Sequence, residues 1–294
     1  MTRPVEAEME PRIGPQVRAA SGTGILVTGA PPPPRSNPRR QLTPNATLSE
    51  RHDITADITR FIVRPDATVP TFKPGQYFSL GLEVNGGPVL RPYSTASRAG
   101  TTGALEFLVR RVAGGTFTPS MWDLAPGERL WIGPARGLFV LKPDDPRTHL
   151  LVSAGTGLAP FISMLHELSG GKAAVTDALR PRVVVAHGVS YATELAYRPW
   201  LEHLAASNRG VAYVPTVSRP AAEANSGWTG RTGRVEQALA SIVAEFGLQP
   251  ATTVAYLCGN PDMVERSREV LLAAGLPADA IVHENYWVSE GHAA

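Results

Sequence analysis

Hydrophobic and polar positions along the chain change texture twice. Residues 1–46 hold no sustained period; they contain Pro31-Pro32-Pro33-Pro34 and scattered arginines. Such a segment buries too little apolar surface to offset its ordering entropy, and four prolines favour extended polyproline geometry. A disordered N-terminal extension is therefore expected. From Leu48 onward short β-type runs at 57–64, 77–82, 104–112 and 129–132 alternate with turns. The turn signals are Lys73-Pro74-Gly75, Asn85-Gly86-Gly87-Pro88 and Ala125-Pro126-Gly127-Glu128. Many short strands with Gly/Pro turns predict an all-β barrel or sandwich, placed at 47–142 and interrupted by one helical stretch at 119–124.

The second change comes near His149. Apolar strands at 149–152, 182–186, 211–217 and 254–257 alternate with helical spacing at 160–168, 194–206, 235–246 and 261–274. This alternation predicts a parallel sheet covered by helices, placed at 148–287 with a C-terminal extension at 288–294. The Pro/Gly-rich stretch 219–233 is long for a strand-to-helix connection. Long loops at strand C-termini in open parallel sheets are often binding loops.

Composition narrows the picture. A length of 294 residues suits two ordinary domains, and 43% hydrophobic with 18% charged residues is a globular balance. The net charge of +2 makes no case for nucleic acid. Residues 1–46 hold six arginines against three glutamates; the arginines suit a transit peptide and the early glutamates do not. Cys258 is the one cysteine, which excludes an internal disulfide and a cysteine-ligated iron–sulfur cluster. A reduced, cytoplasmic setting is expected. No apolar run reaches the length of a membrane span, and the N-terminus has no secretory apolar region. No metal site is expected.

Five segments carry chemistry. Arg91-Pro92-Tyr93-Ser94-Thr95-Ala96-Ser97 sets a cation, a flat aromatic face and hydroxyls on one extended stretch. An arginine fork suits a pyrophosphate, and a tyrosine suits a planar ring. On a strand, Arg91, Tyr93 and Thr95 point one way and Ser94 the other. Taken alone, the same residues also read as a surface arginine beside a half-buried tyrosine. Leu108-Val109-Arg110-Arg111 then leads into Gly114-Gly115-Thr116-Phe117-Thr118-Pro119, which opens a helix. Thr118 is expected at the N-cap with Pro119 following, either for an anion or as simple capping. Ser153-Ala154-Gly155-Thr156-Gly157-Leu158-Ala159-Pro160-Phe161 follows a strand and opens another helix. Its glycines permit a tight turn and close approach to a phosphate, although it is not G-x-G-x-x-G. Cys258-Gly259-Asn260-Pro261-Asp262 ends a later strand, with Cys258 either functional or a buried structural residue. His283-Glu284-Asn285-Tyr286-Trp287 closes the series with two adjacent aromatics.

In this order and spacing, the segments resemble the ferredoxin–NADP⁺ reductase family, in its bacterial flavodoxin/ferredoxin form. The resemblance spans residues 47–287 and leaves 1–46 outside. It implies an antiparallel six-stranded FAD-binding β-barrel followed by a parallel-sheet α/β domain for the nicotinamide nucleotide. It further implies that Arg91 holds the FAD pyrophosphate, that Tyr93, beside Pro92, stacks on the isoalloxazine, and that Ser94 bonds its reactive edge. Leu108, Val109 and Arg110 line the flavin, and Gly114, Gly115, Thr116 and Thr118 close over its diphosphate. Gly155, Thr156 and Gly157 form the nicotinamide loop. Cys258 and Gly259 lie where nicotinamide meets flavin, with Cys258 a positioning group rather than a nucleophile. Tyr286 or Trp287 covers the flavin, and Glu284 matches an acidic residue near its edge. Ser94, Cys258 and Glu284 are thus the implied catalytic residues. The turn Gly133-Pro134-Ala135-Arg136-Gly137 matches a structural turn of the family.

Cofactor choice turns on a cationic pocket for a 2′-phosphate. Ser218 and Arg219 resemble the family's phosphate-gripping pair, and Arg231 offers a second cation; Arg219 is otherwise a solvated loop residue. Ser190 and Tyr191 stand where many bacterial relatives carry an arginine. The expectation is NADP(H), with FAD passing electrons to ferredoxin or flavodoxin from a monomer. Two alternatives stay open: an NADH-dependent reductase component supplying an oxygenase, and a flavin-binding regulatory module without turnover.

Overall fold

In a computed structural model the described residues are 42–142, 144–170 and 182–286. Most of the extension at 1–46, all of that at 288–294, and Trp287 lie outside them. The short stretch 42–46 is described and departs from expectation, because it already belongs to the barrel. Asn45 donates through Nδ2 to the Ile132 carbonyl at 3.0 Å and accepts from the Ile132 amide at 2.7 Å. Ala46 is fully buried and opens the first strand.

The first lobe is built from β1 (Ala46–Thr55), β2 (Ile58–Pro65), β3 (Tyr77–Val84), β4 (Gly87–Ser94) and β5 (Leu105–Arg110), then helix α1 (Phe117–Trp122) and β6 (Arg129–Arg136). The six strands form one antiparallel sheet in the order β4-β3-β6-β1-β2-β5. A bridge between Thr95 and Phe107 joins its two ends, so the sheet closes as a barrel and leaves no open edge there. β3 and β4 are joined by Asn85-Gly86, both at positive φ (52° and 73°), which is the geometry a two-residue hairpin needs. Alternation along β2 turns Phe61 and Val63 inward onto Phe78, Leu80 and Phe107. β1 has no counterpart in the pattern reading because its sequence, ATLSERHDIT, is polar from Ser49 to Asp53.

The second lobe runs β7 (Thr148–Ala154), α2 (Ala159–Gly170), β8 (Val183–Val189), α3 (Arg198–Ser207), β9 (Val211–Val217), β10 (Arg231–Thr232), α4 (Val235–Glu245), β11 (Thr253–Gly259), α5 (Pro261–Ala273) and β12 (Ile281–Asn285). The parallel sheet has the order β10-β9-β8-β7-β11-β12. Every residue of β8 and β11 is buried, as expected for strands with helices on both faces. The helix expected at 194–206 begins later, at Arg198, with Pro199 in its first turn and Tyr197 before it at φ 58°. A short 3-10 turn, Ala192–Glu194, takes up the earlier residues. No helix among the described residues is long and apolar enough to cross a membrane.

The lobes share a core. Ile58, Ala96, Leu108, Phe139 and Leu141 of the barrel region pack in one buried cluster with Leu151, Leu158, Phe161, Leu165 and Tyr256 of the α/β lobe. Phe139 sits edge-on to Tyr256, with ring centroids 5.8 Å apart.

Candidate active site

Between the lobes runs a cleft of about 990 Å³, over the C-terminal edge of the parallel sheet. Ligands of open α/β sheets bind at that edge. From the barrel, the cleft takes Arg91, Pro92, Tyr93 and Ser94 on β4, Leu108, Val109 and Arg110 on β5, and Thr118 on α1. From the α/β lobe it takes Gly155 and Thr156 after β7, Ser218 and Arg219 after β9, and Gly259, Glu284 and Tyr286 at the ends of β11 and β12. Residues far apart in sequence thus face one space.

On the barrel side, Tyr93 packs on Phe117 with centroids 5.8 Å apart, and burial pushes its hydroxyl pKa up. The phenol therefore stays protonated and offers a neutral face. Arg91 donates to the Leu90 carbonyl at 2.9 Å, which occupies one of its five N–H groups. Thr95 departs from the expected alternation. The strand ends at Ser94; Thr95 is fully buried and its hydroxyl donates to the Glu106 carbonyl at 3.0 Å, away from the cleft. Thr118 is not the N-cap either. Thr116 holds that position without a side-chain bond, while the Thr118 hydroxyl accepts from the Val112 amide at 2.9 Å. Thr116, Gly114 and Gly115 do not line the cleft. Gly114, at φ 74°, turns the chain.

One end of the cleft is set by strand register. Parallel pairing places Ser153, Cys258 and Glu284 in one row across β7, β11 and β12. From the barrel, the Ser94 hydroxyl donates to Glu284 Oε1 at 3.0 Å. Burial raises the Glu284 pKa, and the Ser94 bond partly offsets this. Burial also drives the Cys258 thiol well up, with the Glu284 carboxylate adding to the shift. Cys258 is fully buried, does not line the cleft, and is a neutral thiol. The Tyr286 amide is fixed by the Gly259 carbonyl at 2.7 Å. Its hydroxyl is buried against Ser94 and Cys258, and Asn285 Oδ1 is buried without a hydrogen-bond partner among the described residues.

Gly157 makes the tight turn after β7 possible without lining the cleft. A Cβ there would lie 2.2 Å from the Cys258 carbonyl oxygen, so the turn Gly155–Leu158 sits directly on β11. His187 on β8 holds the same turn: its Nε2 lies 3.1 Å from the Gly155 carbonyl. Because a carbonyl only accepts, Nε2 carries the proton, leaving Nδ1 to accept from the Tyr213 hydroxyl at 3.4 Å. Burial lowers the His187 pKa to about 4.

At the far end, Arg219 Nη1 donates to the Tyr191 hydroxyl at 2.8 Å, with its guanidinium 5.3 Å from the ring centre. Tyr191 thus braces the cation beside it. Arg231 is not brought to the cleft. Its guanidinium pairs with Glu245 and donates to Ser241 Oγ at 3.1 Å. Arg234, at the N-cap of α4, lines the cleft instead. Sequence reading passed over it, although Gly230-Arg231 and Gly233-Arg234 repeat one pattern and only the second directly precedes a helix. Glu194 and His187 were also passed over; each is a buried polar residue whose partners come from other segments or the backbone, a setting no local pattern reveals.

The residues fit a flavin dinucleotide and a nicotinamide dinucleotide. Arginine forks serve phosphates, Tyr93 supplies a flat face, glycines admit close backbone approach, and the orphaned buried Asn285 Oδ1 suits a polar ligand atom.

Comparison with known proteins agrees with this geometry. Residues 45–140 match a family model described as an oxidoreductase FAD-binding domain, and residues 151–269 one described as an oxidoreductase NAD-binding domain. The chain is 32% identical over 228 residues to ferredoxin–NADP reductase B of Sorangium cellulosum, covering 76% of this chain and 88% of that one. It is 33% identical over 220 residues to the ferredoxin–NADP reductase of Azotobacter vinelandii, covering 70% and 80%. Among solved structures, the Amycolatopsis cytochrome P450 reductase GcoB superposes with a TM-score of 0.70 at 29% identity, covering 82% of this chain and 69% of that one.

Proposed function

Since the chain belongs to the ferredoxin–NADP⁺ reductase family, we propose that its cleft carries electrons between NADP(H) and a small one-electron protein carrier, ferredoxin or flavodoxin. The observation that carries the reading is the contact of Ser94, at the end of a barrel strand, with Glu284, at the end of an α/β strand. It brings the flavin-side and nucleotide-side machinery to one point.

Each residue has a physical task. Arg91 and Arg110 bind the FAD diphosphate, and Tyr93 flanks its ring. Bound FAD supplies the chemistry of taking two electrons as a hydride and returning them singly. Ser94 and Glu284 form a hydrogen-bonded pair at the reacting edge, and burial raises the Glu284 pKa above its ordinary value. Cys258, neutral and packed in the sheet, fixes the floor on which the nicotinamide rests. Tyr286 covers the edge and excludes water. Thr156 and the turn Gly155–Leu158 take the nucleotide pyrophosphate. Ser218, Arg219 and Arg234 take the 2′-phosphate, with Arg234 in the place first given to Arg231. The protein works as a monomer on this reading.

A second reading, a reductase component feeding an oxygenase, draws support from the likeness to the Amycolatopsis cytochrome P450 reductase. The absorption spectrum of the purified protein, followed anaerobically with NADPH and then NADH, separates the two. Faster bleaching of bound flavin by NADPH is expected. Fast bleaching by NADH alone moves the assignment to the oxygenase partner, and absence of flavin after FAD is added overturns the cleft assignment.

A further inference from the structure

One buried carboxylate touches both ends of the cleft. Glu194 closes the turn Ala192–Glu194 after β8, and its side chain is 10% exposed. Oε2 accepts from the amides of Ser190 at 2.9 Å and Tyr191 at 3.2 Å. Oε1 accepts from Arg110 Nη1 on the barrel at 3.0 Å. Asn225, also buried, continues the chain of contacts. Its Oδ1 accepts from the Ala192 amide at 2.8 Å, and its Nδ2 donates to the carbonyls of Ser190 at 3.1 Å and Arg219 at 2.8 Å. Arg219 closes the path by bonding Tyr191. A continuous network thus runs from Arg110 on the flavin side to Arg219 on the nucleotide side.

A second tie holds the same segment to the same strand. The Tyr197 hydroxyl donates to Glu106 on β5, and Arg60 lies over the Tyr197 ring at 5.0 Å while bonding Glu106 at 2.5 Å. Glu106 and Arg110 are four apart and share a face of β5. Tyr197 stands at φ 58°, a left-handed conformation that a bulky residue keeps only where its surroundings fix it. Segment 190–197 is therefore pinned to the barrel at two points, and it carries backbone and side chains of the nucleotide end.

We propose that Glu194 is a positioning residue that couples the two ends of the cleft, so that a phosphate held at one end strengthens binding at the other. A phosphate on Arg110 fixes the guanidinium. The guanidinium fixes Glu194, and Glu194 fixes the amides of 190–191 and, through Asn225, the backbone of Arg219. The ordering entropy of this network is then met once rather than twice, which gives positive coupling. The inference rests on the assignment of FAD and NADP(H) to the cleft.

Adenosine 2′,5′-bisphosphate is the suitable probe, because it lacks a nicotinamide and cannot stack on the flavin. FAD release from the holoprotein is followed by the rise of free-flavin fluorescence on dilution, with and without saturating bisphosphate. In the wild type the bisphosphate should tighten FAD by at least about fivefold, the lower range of measured couplings. Glu194→Gln keeps an acceptor for the amides but loses the charge facing Arg110. It should bind both ligands with the coupling reduced to less than about twofold. Asn225→Ala cuts the branch to the Arg219 backbone without touching the barrel and leaves the branch through Tyr191; its FAD affinity alone should equal wild type, with the coupling reduced. Undiminished coupling in Asn225→Ala, or no coupling in the wild type, overturns the proposal. A protein that binds neither FAD nor the bisphosphate instead overturns the assignment on which it rests.

Discussion

Substituting Gly157 by alanine tests how closely the turn Gly155–Leu158 sits on the sheet. The added Cβ would lie 2.2 Å from the Cys258 oxygen, 2.7 Å from its carbonyl carbon and 3.0 Å from the Gly259 Cα. Ordinary contact begins near 3.4 Å, so relief requires the turn and β11 to separate by about 1 Å. β11 cannot yield cheaply, since Cys258 is paired with Ser153 on one side and Glu284 on the other. Overpacking of this kind costs about 1–3 kcal/mol, and weakening one ladder hydrogen bond adds about 1 kcal/mol. A destabilisation of about 2–4 kcal/mol corresponds to a fall in Tm of about 5–15 °C for a chain of this size. Calorimetry of the FAD-loaded protein measures it. Gly155→Ala is the control: its Cβ would meet only the Arg110 guanidinium, at 3.5 Å and beyond, but its φ of 54° makes the substitution cost about 1–2 kcal/mol through backbone strain. If Gly157→Ala melts within about 2 °C of wild type, the close approach is not a constraint and the argument from it fails.

Acid should weaken the fold through His187. Its folded pKa of about 4 lies below the ordinary value near 6.5, so the unfolded chain takes up the proton first as pH falls. The contribution is present above pH 6.5 and is lost between there and about 4, up to about 3 kcal/mol. His187→Gln, which can still donate to the Gly155 carbonyl, should flatten that part of the urea-unfolding profile, and an unchanged slope would refute it. Arg234→Ala should raise the KM for NADPH by about tenfold or more, the value of a charge-assisted hydrogen bond, and leave that for NADH near wild type. Arg231→Ala should move neither KM, and equal kinetic effects at 231 and 234 would undo the assignment. Arg91→Ala should lose FAD on gel filtration while the α/β lobe keeps its far-UV circular dichroism; full flavin occupancy would remove Arg91 from the diphosphate site.

Much of this architecture is legible in the chain because its strong signals are local. The apolar strands of the α/β lobe and the glycine-rich turns announce themselves in short windows, and 211–217 matches β9 at both ends. Weak or long-range signals are harder. β1 is masked by polar residues, and β12 reads as a tail because IVHEN is short and only its first residue is buried. The start of α3 is displaced by Pro199 and by the left-handed Tyr197, whose conformation depends on Glu106, 91 residues away. At the site, motif residues on strand ends are readable, whereas the turning of Arg231 away from the cleft depends on its pairing with Glu245 on α4.

The core shared by the two lobes has a consequence for how the molecule comes apart. Phe139 and Leu141 leave the barrel and enter the same apolar cluster as Phe161 and Tyr256. Cutting the chain between the lobes would expose that surface on both fragments, so neither half is suited to stand alone. Heating should give one calorimetric transition rather than two, with calorimetric and van't Hoff enthalpies in agreement. Cys258, sealed in the same cluster, becomes a clock for that event: a thiol reagent can reach it only when the joined lobes open together.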